Sequence, residues 1–136
     1  MIPVLDDGSR FMVRVYFEDT DFSGNVYHAA YLKFFERART ELLRSQGIHH
    51  AALARQGLVF AVRELTIAYD RAARIDDKLD VETRVERLSG ARLVLAQTIS
   101  RDGDTICRAR VTVVILTLLG RPARLPADLR ARFSAL

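Results

Sequence analysis

The chain has a single cysteine, Cys107, among 136 residues. One thiol cannot build an internal disulfide framework, so stability must come from a packed core, and a reducing compartment is the expected setting. No run approaches the roughly 18 uninterrupted apolar residues of a membrane-spanning helix. The opening Met-Ile-Pro-Val-Leu-Asp-Asp-Gly has neither a basic flank nor an apolar stretch, which argues against a secretory signal peptide. A cytoplasmic location is therefore expected. Lysine occurs only at Lys33 and Lys78, so arginine supplies nearly all the positive charge behind the net +4. The arginines are scattered among acids rather than grouped, and the footprint of a nucleic-acid binder is weak. A small polyanionic ligand carrying phosphates is compatible with that charge. Repeats, linkers and low-complexity tracts are also missing, and the length suits one domain over residues 1–136.

What is present is an ordinary globular composition, 49% hydrophobic and 28% charged, with periodicities that change along the chain. Residues 1–10 read as a loosely ordered lead-in with a turn at Asp6-Asp7-Gly8-Ser9. Phe11, Val13, Val15 and Phe17 then alternate with Arg14, Tyr16 and Glu18, which predicts a half-buried strand. From Tyr27 the period lengthens. Ala30, Tyr31, Phe34, Phe35, Ala38 and Leu42 recur at three- and four-residue steps, predicting an amphipathic helix that begins near Asn25 to His28 and stops at Gly47. A short, less regular helix is expected over 48–56. Strands follow at Val59–Tyr69, Leu79–Leu88, Leu93–Ser100 and Thr105–Thr117, with hairpin turns at Ser89-Gly90 and Asp102-Gly103. Gly120 to Pro126 breaks the sheet, and the last residues carry no assigned element. The pattern is an α+β domain, one long helix laid across a strongly curved antiparallel sheet. Such a sheet leaves an edge strand, which strand-to-strand dimerisation can cover.

Chemistry is concentrated between strand and helix. Glu18, Asp19, Asp21 and His28 fall within eleven residues around Ser23-Gly24. Backbone amides at a helix start lack internal partners and attract negative charge, including an oxyanion forming on a substrate carbonyl. A carboxylate beside them suits acyl transfer. Structural readings compete at each position. Asp19 reads first as a turn residue accepting local N–H bonds, Glu18 as a strand end in solvent and Asn25 as a helix N-cap. Asp21 divides evenly between capping and catalysis, and an isolated histidine such as His28 is more often structural. A metal site on Asp19, Asp21 and His28 has no recurring ligand spacing behind it. His49-His50 reads as solvated surface, Glu36 as a helix charge beside the apolar stripe, and Cys107 as a core thiol in line with Ala109, Val111 and Val113.

The run from Val13 to Glu41, centred on Asp19-Thr-Asp-Phe-Ser-Gly-Asn-Val-Tyr-His28, closely resembles the Tol–Pal-associated (YbgC-type) acyl-CoA thioesterases. These belong to the 4-hydroxybenzoyl-CoA thioesterase (4HBT) branch of the hotdog fold. Further matches at Leu65–Tyr69, Ala73–Asp77 and Gly120–Pro126 extend the resemblance over nearly the whole chain. It implies a helix from about residue 28 to 46 wrapped by a five- or six-stranded antiparallel sheet. It also implies hydrolysis of an acyl-CoA thioester to the free acid and coenzyme A. Asp21 would be the catalytic carboxylate, as nucleophile or general base, and His28 its partner. Gly24 and Tyr27 match positions that shape the site, and Phe22 would narrow or line the acyl pocket. No metal and no dissociable cofactor are implied; coenzyme A enters as part of the substrate, its phosphates meeting arginines that are not assigned. The implied assembly is a homodimer or homotetramer with active sites at the subunit interface, cytoplasmic or peripheral to the inner membrane, with an acyl carrier protein as a further candidate partner. The rival reading is a hotdog protein that mainly binds an acyl carrier or an envelope complex. A hotdog dehydratase ranks lower, because its histidine and glutamate motif is not apparent. Many members have Pro-Ala-Arg where this chain has Ala72-Ala73-Arg74, which predicts a less constrained loop there.

Overall fold

Five strands and one long helix account for most of the computed structural model, which describes residues 9–136. The expected lead-in turn lies outside them except for Ser9. The first strand, β1, covers Arg10–Arg14. The chain then passes through a 3-10 turn at Phe17–Asp19 and a loop into helix α1 at Ala30–Ser45. A one-and-a-half-turn helix, α2, spans His50–Arg55. Four strands follow: β2 at Leu58–Tyr69, β3 at Lys78–Ser89, β4 at Arg92–Arg101 and β5 at Asp104–Thr117. A last helix, α3, occupies Ala127–Ser134.

All neighbouring strands are antiparallel, in the order β1-β3-β4-β5-β2, so β1 and β2 form the two edges. The β4–β5 hairpin closes on Asp102 and Gly103, both at positive φ, 51° and 85°. That is the backbone of a type I′ turn, whose twist matches the flanking strands. Register shifts at Val62/Glu64, Val85/Arg87 and Ile99/Ser100 bend the sheet, as bulges do. The α1 stripe enters the curve: Ala30, Tyr31, Phe34, Phe35, Ala38 and Leu42 are buried, as are Leu79, Val81, Leu95, Ile99 and Val111 of the sheet. Phe34 and Phe35 are fully buried, so the helix is fixed by shape as well as by burial. One polar cluster crosses this interface. The buried Gln97 side chain donates to the Phe35 carbonyl at 3.0 Å and to Thr83 Oγ1 at 2.9 Å, and accepts from Arg39 at 3.0 Å.

Helix α1 ends where the sequence predicts. Gly47 at φ 74° lets its own amide bond the Arg44 carbonyl and the Ile48 amide bond Leu43, the paired closure of a Schellman motif. Its beginning differs. Ala29 is the N-cap and offers no side-chain bond, while Asn25 sits four residues earlier in an isolated bridge to Arg74. The capping role expected of Asn25 is therefore wrong. The β1 alternation also stops early. Phe17 is 81% exposed rather than inward, because Asp19 captures the Tyr16 amide and curls the chain into the 3-10 turn. The loop at Ala72–Arg74 is held, not loose: the Ala73 amide donates to the Tyr31 hydroxyl at 3.0 Å and its carbonyl accepts from Val26 at 2.8 Å. Helix α3 has no counterpart in the sequence reading. Its signal was present in Leu129 and Phe133, four apart and both buried, following Pro126. Cys107 is buried with Ala109, Val111 and Val113, and burial pushes its thiol up to about 12, as a core position requires.

Candidate active site

The segment between β1 and α1 folds back on itself before it enters the helix. Thr20 bridges to Val26 and Asn25 to Arg74, so residues 20–26 make a small extended loop stitched to the 73–74 segment. Its tip is a tight turn in which the Gly24 amide donates to the Asp21 carbonyl and the Asp21 amide to the Asn25 carbonyl, each at 3.0 Å. Gly24 sits at φ 81°, a conformation that costs an L-residue energy. The glycine of the motif is thus explained by backbone geometry.

That turn fixes the Asp21 carboxylate through Ser23. The Ser23 amide donates to Asp21 Oδ1 at 2.9 Å, and the Ser23 hydroxyl donates to the same oxygen. Oδ2 takes no hydrogen bond among the described residues. The Ser23 hydroxyl, then its amide, hold the Asp21 pKa below the ordinary carboxylate value; slight burial opposes them and the nearby His28 adds to them. Asp21 therefore presents one anchored oxygen and one unengaged oxygen, in a carboxyl group that stays ionised. Ser23 was absent from the sequence-derived site. The local signal was the Asp-x-Ser spacing, which places a hydroxyl and an amide within reach of the aspartate two residues back.

His28 stands at the last bend before α1. Its ring lies 4.4 Å from Tyr27, centroid to centroid, and 6.5 Å from Tyr69 in an edge-on arrangement. No hydrogen bond joins His28 to Asp21 among the described residues; the link is electrostatic and through the cleft that both line. That cleft has a volume of about 420 Å³ and is walled by Asp21, Ser23, Asn25, His28, Tyr31 and Tyr69, with Arg71 at its edge. Arg71 pairs with Asp104 at 3.5 Å. Asn25 Oδ1 is the one buried side-chain polar atom without a partner among the described residues. The His28 and Ala29 amides likewise donate to no group among the described residues, whereas the Ala30 amide already bonds the Tyr27 carbonyl at 2.8 Å.

The other expected residues are placed as follows. Asp19 turns its carboxylate back to the Tyr16 amide at 2.8 Å, a turn role as expected, and its carbonyl accepts from Tyr27 at 2.8 Å. Glu18 is exposed. Gly24, Tyr27 and Phe22 do not line the cleft; Phe22 projects fully into solvent and Tyr27 is 47% exposed. Among the described residues no group of three or more His, Cys, Asp or Glu is arranged to hold a metal ion. A smaller and more enclosed cavity of about 130 Å³ lies along α1 against the sheet, walled by Arg39, Leu43, Phe60, Leu95 and Phe133 among others. Glu36 and His50 reach its rim, but His50 packs edge-on to Phe60 at 6.1 Å. The Asp21 cleft is the stronger candidate for chemistry because an ionised carboxylate and His28 both line it, beside the helix entry. No helix among the described residues is long and apolar enough to cross a membrane.

Residues 15–133 match the family model described as the thioesterase-like superfamily. The chain is 44% identical to the acyl-CoA thioesterase YbgC of Haemophilus influenzae over 132 residues, 96% of this chain and 97% of that protein. It is 42% identical to the acyl-CoA thioester hydrolase YbgC of Escherichia coli O6:H1, covering 91% of this chain and 94% of the relative. Among solved structures, a probable thioesterase of Bartonella henselae superposes with a TM-score of 0.83 at 44% identity, over 86% of this chain and 98% of that one.

Proposed function

The chain belongs to the thioesterase-like superfamily, among its YbgC-type acyl-CoA thioesterases with the hotdog fold, and from that membership we propose that it hydrolyses an acyl-CoA thioester through Asp21. One observation carries the reading: an ionised carboxylate with one unengaged oxygen faces a cleft at a helix entry where two amides have no partner. Attack at the thioester carbon turns the carbonyl oxygen into an oxyanion, and the His28 and Ala29 amides are available to receive it. Collapse of the tetrahedral species breaks the C–S bond and releases the coenzyme A thiolate, which takes a proton from solvent or from Asp21.

Two routes lead to that intermediate. As a base, Asp21 removes a proton from water and hydroxide adds to the carbon. As a nucleophile, Oδ2 adds directly, the thiolate leaves, and water then hydrolyses the mixed anhydride. The lowered pKa of Asp21 keeps the carboxylate anionic near neutrality, as both routes require. His28 serves this site by orienting Asp21 or the attacking water. The same reading carries a cytoplasmic homodimer or homotetramer: the free edge of β2 ends at Tyr69 in the cleft and can pair with the same strand of a second copy. An acyl carrier protein is an alternative carrier of the acyl group.

Asp21→Asn tests the assignment. A folded variant should lose at least about 100-fold in turnover, the scale of a lost base or nucleophile. Near wild-type rates across short, long and aromatic acyl-CoAs would remove Asp21 from the chemistry. Single-turnover hydrolysis in ¹⁸O water should place label in the Asp21 carboxylate on the anhydride route and only in the product acid on the other. Absence of any thioester cleavage by the wild type, with tight complexes surviving Asp21→Asn, would favour the binding protein instead.

A further inference from the structure

Both peptide planes that flank the His28 Cα are pinned, and the two bonds come from different parts of the fold. On the N-terminal side, the Tyr27 carbonyl accepts the Ala30 amide at 2.8 Å, a local bond of the helix entry. On the C-terminal side, the His28 carbonyl accepts the Tyr69 hydroxyl at 2.9 Å, across 41 residues of sequence. Peptide groups are planar, so fixing a carbonyl fixes the N–H of the next residue in the opposite direction. The first bond thus sets the His28 N–H and the second sets the Ala29 N–H. Together they determine φ and ψ of His28, and with them the direction in which the imidazole leaves the backbone.

Tyr69 is well suited to this. It is the last residue of β2, paired with Cys107 of β5, so its backbone moves with the sheet and not with the loop. Its ring packs edge-on against Tyr31 at 5.5 Å, and Tyr31 is anchored in turn by the Ala73 amide. Burial raises the Tyr69 hydroxyl above its ordinary pKa, with Cys107 adding to the effect, so it stays protonated and able to donate at neutral pH. Nothing else among the described residues donates to the His28 carbonyl from outside the loop.

We propose that Tyr69 is a positioning residue of the Asp21 site: its hydroxyl, carried by the sheet edge, holds the His28 peptide so that imidazole and amides keep one orientation toward the cleft. It touches no reacting atom and acts through His28. This rests on the reading of Asp21 and His28 as the site, and the two can fail separately. If Asp21→Asn keeps its activity the site is wrong; if Asp21→Asn is dead and the Tyr69 variants behave like wild type, only the positioning role is wrong.

The test is Tyr69→Phe, which keeps the ring and its packing and deletes the hydroxyl, assayed on whichever acyl-CoA the wild type cleaves. The expected result is a kcat lower by about fivefold to tenfold, the rate equivalent of one hydrogen bond, with KM within about twofold. The acid limb of the pH profile should not move, because Ser23 and not Tyr69 sets the Asp21 pKa. In a His28→Ala background the same substitution should cost less but not nothing, since the bond to the residue 28 carbonyl still sets the Ala29 amide while the imidazole is gone. An unchanged kcat, a loss confined to KM, or a displaced acid limb would each overturn the proposal. The carbonyl ¹³C resonance of His28 gives a readout independent of turnover: it should shift upfield in Tyr69→Phe, and no shift would equally refute the bond's role.

Discussion

Gln97→Leu offers a direct test of what holds α1, and therefore the Asp21 loop, in register with the sheet. Gln97 is 1% exposed, and leucine is close to it in volume, so the substitution creates little cavity. What changes is polar satisfaction. The Phe35 carbonyl keeps its helical partner and loses only an extra bond. The Thr83 hydroxyl, 2% exposed, loses its side-chain partner in a place water does not reach. Arg39 loses the acceptor of its guanidinium; burial already lowers its pKa, with Glu36 working the other way, and the group can turn toward the open rim of its cavity. An orphaned buried donor or acceptor costs about 1–3 kcal/mol. Counting Thr83 fully and Arg39 in part, the loss should be about 3 kcal/mol, a large share of the 5–15 kcal/mol typical of a domain. Urea unfolding at one fixed protein concentration should show it as a lower midpoint with an unchanged slope. The decisive measurement is the double variant Gln97→Leu with Thr83→Val. Replacing both partners by apolar groups of similar shape should restore about 1–2 kcal/mol, because no buried hydroxyl is then left unpaired. A single variant within about 0.5 kcal/mol of wild type, or a double variant less stable than the single, would refute the reasoning.

Two further outcomes complete those given with Asp21 and Tyr69. Ser23→Ala removes the hydroxyl that contributes most to holding the Asp21 pKa down while leaving the amide bond, so the Asp21 pKa rises toward its ordinary value. Activity requires the ionised form, so the acid limb of kcat/KM should move to higher pH; an unmoved limb would show that Ser23 does not set the Asp21 charge. Gly24→Ala meets no atom within 4 Å at the new Cβ but forces alanine to φ 81°. It should cost about 1 kcal/mol of stability by denaturant titration, and no measurable loss would mean that the turn adopts another backbone in solution.

The sequence by itself determined the α+β class, the span of all four long strands, the stop of α1 at Gly47 and the buried state of Cys107. Each of these rests on local periodicity or on one residue's conformational preference, which need no knowledge of distant chain. It also located the Asp21 loop, because acids, a histidine and a glycine turn lie close together along the chain. Its failures share a cause. Asn25 has the right chemistry for a helix cap, but the 73–74 segment, some fifty residues away, draws it into a bridge and delays the helix to Ala30. Phe17 continues an alternation that Asp19 interrupts, so propensity yields to a side-chain bond. The Ala72–Arg74 loop lacks the proline that would stiffen it locally, yet Tyr31 and Val26 hold it from elsewhere. Tyr69 entered the site only because β2 ends beside the start of α1. Local sequence fixes which residues can carry charge and which turns can form. Which oxygen of Asp21 is unengaged, and which tyrosine holds the His28 peptide, follow from packing a helix into a curved sheet.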